Sequence, residues 1–508
     1  MKPVHRLSAS TALVALLSAA PALADVTPQQ VWTDFQTYFQ DFGYTVAGNV
    51  NDTGSSVTVS GLTLTMTAPD NKGGAQVTMD PLVLTARGDG GVDIVMPTQI
   101  PMSFQSMADG EDKVDAALLL TQSGMVMTAT GNPGAMVYSY NAAQMTMTLQ
   151  NLTVNDQAMP PENAAATFTL TGLSGTSEST TGAARSFVQS GKADGLTYDV
   201  KFVDPEEGGS GQFTGSMQAL QFQGNSALPG QMDPNAMAKA VRDGFALTGN
   251  FTYGGGSMSF QGTDQGDTVA GKSSSQGGAL SIAMSADGLG YQINSTGAQL
   301  ELQTPDLPFP ISMSMAEAGL NLKMPLLSGD GEQDVALGIK LADFQMAEML
   351  WNMFDPGTVL PRDPATIVVD VSGKVKMFMD LLDETAMQQA EEQGTAPGEL
   401  NALNVNALNV KLVGAELTGT GAFTFDNTDK VTFGGMPRPA GEANLTLSGG
   451  NGLLDKLVQM GLVRQEDAGG VRMMVSMFAV PGQGEDVLNS KIEINDQGHI
   501  MANGMRIQ

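Results

Sequence analysis

Val57-Thr58-Val59-Ser60-Gly61-Leu62-Thr63-Leu64-Thr65-Met66 alternates apolar and polar side chains. Successive side chains of a strand point to opposite faces, so this period of two describes a strand with one dry and one wet face. The pattern recurs at Val77-Thr78-Met79, Met125-Val126-Met127-Thr128, Met145-Thr146-Met147-Thr148-Leu149 and Leu152-Thr153-Val154. Asp70-Asn71-Lys72-Gly73-Gly74, Gly88-Asp89-Gly90-Gly91 and Gly131-Asn132-Pro133-Gly134 separate these runs as turns. Such runs form antiparallel sheets. The expected fold is therefore mainly β: one or more long, curved antiparallel sheets with a few amphipathic helices. The 61 glycines suit many short connections and a sheet that must curve.

Upstream, the period is helical. Thr27 is the expected N-cap and Pro28 the first helical residue, and Gly43 closes the helix. Val31, Phe35, Tyr38, Phe39 and Phe42 form its apolar stripe, with Trp32 beside it. Before it, Lys2 and Arg6 precede an apolar run, Ser8–Ala20, and small residues at Ala22 and Ala24. This is the pattern of a secretory signal cut between Ala24 and Asp25, and it directs the chain to the periplasm by the general export route. The apolar run is shorter than the ~20 residues a membrane span needs. No transmembrane span is expected in the mature chain.

Downstream, helices are expected at Pro234–Asp243 (capped by Asp233), Leu341–Phe354, Lys376–Glu392 and Gly452–Met460. Strands are expected at Phe245–Tyr253, Ile282–Met284, Tyr291–Ile293, Gln299–Leu302, Ile311–Met315, Leu320–Met324 and Thr366–Val371. Further strands follow at Asn401–Val410 (Asn-Ala-Leu-Asn-Val twice), Lys411–Leu417, Ala422–Phe425, Ala443–Leu447, Met473–Ala479 and Lys491–Ile494. The division read from this order is a signal at 1–24, a β-rich region at 25–340 opening with a helix, a helical interruption at 341–396, and a second β-rich region at 397–508. The two β regions are equally compatible with one continuous sheet.

The formal net charge of −29 repels nucleic acid and anionic head groups. Removing the signal takes away Lys2 and Arg6 and makes it two units more negative. There is no cysteine, and of two histidines only His499 lies beyond the signal, beside a turn. Zinc sites of cysteine and histidine are excluded on ligand supply, and no cofactor is expected. Gly266–Ser273 satisfies G-x-x-x-x-G-K-[ST], but Gly262-Thr263-Asp264-Gln265 before it is no buried strand and Ser274–Gly278 after it no helix. It reads as a chance match. The acidic stretch Asp330–Asp334 lacks calcium-loop spacing. A sugar platform is missing, with only Trp32 and Trp351 present.

The 33 methionines are the unusual feature. Met125 and Met127, Met145 and Met147, and Met313 and Met315 are spaced to share strand faces. Met377 and Met379 fall in an expected helix. Copper(I) ligation, a pliable apolar surface for a ligand such as an acyl chain, and plain core filling are the three readings. The three strand pairs are the candidate apolar-ligand face.

Three segments carry a resemblance: Ala24-Asp25-Val26-Thr27-Pro28-Gln29-Gln30-Val31-Trp32, Leu360-Pro361-Arg362-Asp363-Pro364, and Gly461-Leu462-Val463 through Asn503-Gly504. In these and in the order of its features the chain resembles a family of uncharacterised secreted proteins of Gram-negative bacteria, a domain of unknown function. That family brings no catalytic residue to carry over. In architecture alone the chain is distantly similar to AsmA-like periplasmic proteins, which implies an apolar trough and the handling of lipids.

The expected role is non-enzymatic: binding or transferring an apolar ligand such as lipid in the periplasm. The alternative is a structural or interaction protein of the envelope with a protein partner. An outer-membrane barrel fits less well, because aromatic girdles are not supplied by 6% aromatic residues.

Overall fold

The computed structural model describes residues 25–67, 73–106, 113–182, 184–204, 208–230 and 236–508. The expected signal segment with Ala24, residues 70–72 of the first expected turn, and Asp233 and Pro234 of the second expected helix lie outside these. The described residues are 62% strand and 13% helix, as one sheet of 28 strands with six helices. Every strand pairing is antiparallel.

Helix α1, Pro28–Asp41, begins where the caps place it. Thr27 and Gln30 form a reciprocal capping box. The sheet then starts with Thr45–Asp52 against Ser56–Thr67. Beyond that, several positions in the ladder hold two short strands end to end. Gly73–Met79 and Leu82–Ala86 both pair with Ser56–Thr67. Val114–Ser123 and Val126–Asn132 both pair with Ala135–Val154. Long single strands follow at Ala164–Thr180, Arg185–Val203 and Ser210–Leu228. The ladder splits again beyond Ser210–Leu228 and rejoins at Gly288–Gln303. From there single strands run to Val487–Ile494. Thr45–Asp52 and Val487–Ile494 do not pair with each other, so the described sheet is open.

The splits line up with a row of left-handed backbone positions. These are Gly61, Gly124, Gly172, Ala219, Gly297 and Asp343, with φ between +50° and +65°. Together they form a crease across the strands. A residue in this region turns the following peptide over, so alternation resumes with the opposite parity. Val57 and Val59 before Gly61, and Leu62 and Leu64 after it, are all buried in one core. Strict alternation would have sent one pair into water.

The crease explains one departure from expectation. Leu341–Phe354 is not one helix: residues up to Met346 belong to strand Gln333–Met346, and only Glu348–Phe354 is helical. The left-handed Asp343 puts Leu341, Phe344 and Met346 on one side of a strand at a spacing that imitates a helix. Of Lys376–Glu392, Lys376 and Met377 end the strand Ala365–Met377, and the helix is Glu384–Gln393, capped by Asp383. Met377 and Met379 are therefore not helical. The second helix is Met237–Arg242, stopped at Gly244 as expected. Lys411–Leu417 is broken by a hairpin turn at Val413-Gly414, both with positive φ. Of Met473–Ala479, residues up to Phe478 are helical and only Ala479 is extended. In chain order, α2 is Met237–Arg242, α3 Glu348–Phe354, α4 Glu384–Gln393, α5 Gly450–Gln459 and α6 Gln465–Phe478.

Two cores hold helices onto the sheet. Val31 and Trp32 of α1 pack with Val57, Leu62, Leu84, Val92 and Ile94, so Trp32 lies inside the core rather than beside it. Val241 of α2 packs with Phe187, Leu228, Phe245, Leu326 and Leu327.

Candidate functional site: an uncovered apolar sheet face

Directly opposed residues on antiparallel strands share a face. One such row crosses the sheet as Val57, Leu84, Ile94, Met127, Tyr140, Gly175, Gly191, Phe222, Phe251, Leu280, Ile293, Leu320, Ile339, Val369, Leu408, Gly419, Leu445 and Ser490. It contains no charged residue. At ~4.8 Å per strand it is roughly 80 Å long. Beyond the crease a second row runs Leu120, Met147, Phe168, Tyr198, Gly215, Met258, Ser273, Leu300, Met313 and Met346, again without charge. Leu120 of the second row and Met127 of the first pack against the same core, so both rows line one face.

The helices cover only part of this face. Its N-terminal end lies under α1 and one margin lies under α2. Between them the apolar side chains meet solvent: Phe222 is 41% exposed, Ile293 42% and Leu320 36%. Isolated exposed apolar residues are ordinary, but a continuous strip of them marks a binding surface. A cleft of about 550 Å³ lies on this face, lined by Tyr198, Met217, Tyr253, Met258, Leu300, Met313, Met315 and Phe344.

The floor of the strip is flat, for a reason visible in its glycines. A Cβ on Gly211 would stand 2.5 Å from the Phe202 ring, on Gly271 2.5 Å from Phe260, and on Gly278 2.7 Å from Tyr253. Tyr198 lies over Gly215 and Tyr140 over Gly175 in the same way. Each ring lies down on the neighbouring strand because glycine leaves room. Phe202, Phe213 and Phe260 form a stack with centroids 6.3 Å apart.

The structure brings five of the six candidate methionines to this face. Met127, Met147 and Met313 stand in the two rows, Met145 opposes Leu170, and Met315 opposes Ala298. Met125 does not join a strand. It occupies the turn before Val126–Asn132, where its amide donates to Gln122 Oε1. Asp25 is the first described residue, and the following Val26 amide donates to the carbonyl of Gly90. Among the described residues no group of three or more His, Asp or Glu side chains is placed to hold a metal. His499 lies in the Asn495–His499 turn, where its amide donates to Asn495 Oδ1.

The opposite face is hydrophilic and carries a larger cleft, about 1110 Å³, lined by Thr167, Thr214, Ser257, Ser259, Lys272 and Glu301 among others. Its hydroxyls are largely satisfied by one another, as in Thr214 with Ser259 at 2.7 Å and Ser216 with Ser257 at 3.0 Å. It has the character of a solvated sheet surface.

A buried ionic cluster pins α1 to the apolar face. Arg185, 7% exposed, donates to Asp34 Oδ1 at 2.5 Å and Asp41 Oδ2 at 3.3 Å, and its guanidinium stands 5.1 Å from the Phe187 ring. The Tyr138 hydroxyl donates to Asp34 Oδ2. Burial first, and then the Asp34 carboxylate, push the Tyr138 phenol well above its ordinary range, so it stays a donor.

Leu360-Pro361-Arg362-Asp363-Pro364 folds into a second knot. Asp355, 1% exposed, accepts from the amides of Val359 and Leu360 and from Arg362, which also stacks 4.5 Å from Trp351. Burial raises the Asp355 pKa, but these donors outweigh it and hold it below the ordinary carboxylate range. Such a group adds stability above its unfolded pKa of 3.8 and loses it as pH falls through the depressed value. Asp355→Asn is expected to lower the melting temperature at pH 7 by several degrees. It should also flatten the decline expected of the unsubstituted protein below pH ~4. Thermal melts from pH 7 to pH 2 check both; parallel profiles would refute the role given to the carboxylate.

The model of the family described as "uncharacterized protein conserved in bacteria" (DUF2125) matches residues 197–507. The chain belongs to this family. The matched part holds most of the uncovered apolar strip together with helices α2 to α6, whereas α1 lies outside it. No curated protein matches the chain. Among solved structures, the ferric citrate transporter FecA in its unliganded form aligns over 91% of this chain and 75% of its own, at 8% identity and a TM-score of 0.16. A score that low carries no argument about fold.

Proposed function

We propose that this family member is a non-enzymatic periplasmic protein that binds and passes on an apolar ligand, with lipid acyl chains as the ligand class. The observation that carries the reading is the charge-free row from Val57 to Ser490, uncovered along its middle. The AsmA-like resemblance implies a surface of the same kind.

Magnitude favours transfer over storage. Full burial of a methylene is worth about 0.8 kcal/mol, and an open floor covers about half of a chain laid on it. A 16-carbon chain then gains about 6 kcal/mol, equivalent to a Kd of tens of micromolar before ordering costs. Such a ligand exchanges readily and can move along the strip.

The test is a titration of a fixed trace of pyrene-labelled phosphatidylcholine, held below its aggregation threshold, with increasing amounts of the purified protein. Saturable binding is expected. Ile293→Asp with Leu320→Asp should weaken it about tenfold or more, since each places a carboxylate in the path of the chain. Both positions are part-exposed, so circular dichroism should show the fold retained. No saturable binding by the unsubstituted protein, or equal binding by the folded double variant, would reject the proposal.

A further inference from the structure

We infer that α6 is a bilayer-docking element, which seats the C-terminal end of the apolar strip against the surface of a neutral lipid membrane. This rests on the strip being a lipid path.

Helix α6 packs by a narrow inner stripe, of which Ala468 is fully buried and Arg472 is held by Asn451 and Asp455 of α5. Its C-terminal half is apolar almost all round, which in a globular protein marks a buried helix. Here it is not buried. Met473 is 72% exposed, Met474 60% and Met477 53%, and Val471 and Phe478 are exposed beside them. Burying so many large apolar groups is what an interfacial helix does, and methionine adapts readily to a fluid surface.

Two observations select a neutral bilayer. The first is position. The Phe478 carbonyl at the end of α6 accepts the Ser490 hydroxyl at 2.6 Å, and Ser490 is the last residue of the charge-free row. The exposed helix therefore stands at the mouth of the proposed path, where the ligand has to enter or leave. The second is charge. The whole chain carries −29, yet from Gly450 to Phe478 Asp455, Glu466 and Asp467 are balanced by Lys456, Arg464 and Arg472, and the nearby Asp486 carboxylate is taken up by the Asn451 and Gly452 amides at the start of α5. Locally the surface neither attracts nor repels a zwitterionic head group, while the rest of the molecule repels an anionic one.

Flotation with phosphatidylcholine vesicles tests this. The full chain without its signal is expected to float with the vesicles, and less so when phosphatidylglycerol is mixed in at low salt. Met473→Asp with Met477→Asp should reduce flotation about tenfold or more while leaving the pyrene-lipid titration unchanged. Ile293→Asp with Leu320→Asp should do the reverse. Failure of the unsubstituted protein to float, or equal flotation of the α6 variant, would overturn the inference. So would a dimer, seen by sedimentation, that the α6 variant abolishes in a protein that does not float. Flotation that depends on α6 without saturable pyrene-lipid binding would reject the lipid path and leave the membrane contact standing.

Discussion

Arg185→Ala is expected to destabilise the protein by about 3–5 kcal/mol, the usual cost of leaving buried charges without their partner. Asp34 and Asp41 would both lose their cation beneath α1, in surroundings that Tyr138, Phe187 and Tyr38 keep largely dry. The effect should appear first at the N-terminal end of the sheet. Trp32 sits in the same core, so its fluorescence reports the loosening of α1. Urea denaturation followed at Trp32, with Trp351 replaced by Phe, measures it. Replacing the cluster with apolar residues of similar volume (Arg185→Met, Asp34→Leu, Asp41→Leu) should restore most of the loss, because a buried ion pair contributes little beyond the cost of desolvating it. A change below about 1 kcal/mol for Arg185→Ala would mean that the helix is held by its apolar contacts alone.

Gly211→Val and Gly271→Val should act on the strip rather than on the fold. Their side chains would occupy the space on which the rings of Phe202 and Phe260 lie. The rings can swing outward, so the stability cost is that of modest overpacking, about 1–3 kcal/mol. The swung rings would stand up from the floor and break a continuous contact into pieces. Losing the cover of one ring's breadth is worth about 1.5–3 kcal/mol, so affinity for the pyrene-labelled lipid should fall about tenfold or more. Gly290→Ala is the control: its added Cβ would meet only Ala283 at 3.7 Å. Equal affinity in all three variants would show that the flat floor plays no part in binding.

The legible features were those that depend on neighbours in sequence. The Thr27 and Pro28 cap and the Gly43 stop are written in consecutive residues, and α1 follows them. Alternation located most strands, and the grouping of Met145 with Met147 and Met313 with Met315 followed from it. Met473-Met474-Val475-Ser476-Met477-Phe478 was ambiguous because a nearly continuous apolar run satisfies both periods. Its period of two suggests a strand, whereas the structure makes it the end of α6. Leu341–Phe354 failed for a different reason, since a single left-handed residue changes the parity of a strand without any signature beyond Asp343 itself.

The candidate site was half visible. Methionine spacing pointed to a face, but not to Phe222, Ile293 and Leu320, its most open part. Nor could glycines far apart in the chain be matched to the rings above them, as Gly215 is to Tyr198.

Local pattern and composition therefore decided the class: an acidic, cysteine-free, mainly β chain with a capped helix ahead of its strands. The tertiary structure decided that these strands share one face. Alternation sorts side chains only within a strand. Whether the dry sides of successive strands coincide depends on cross-strand register and on the left-handed positions at Gly61, Gly172, Ala219, Gly297 and Asp343. Those are properties of the assembled sheet, and they join scattered apolar residues into one strip.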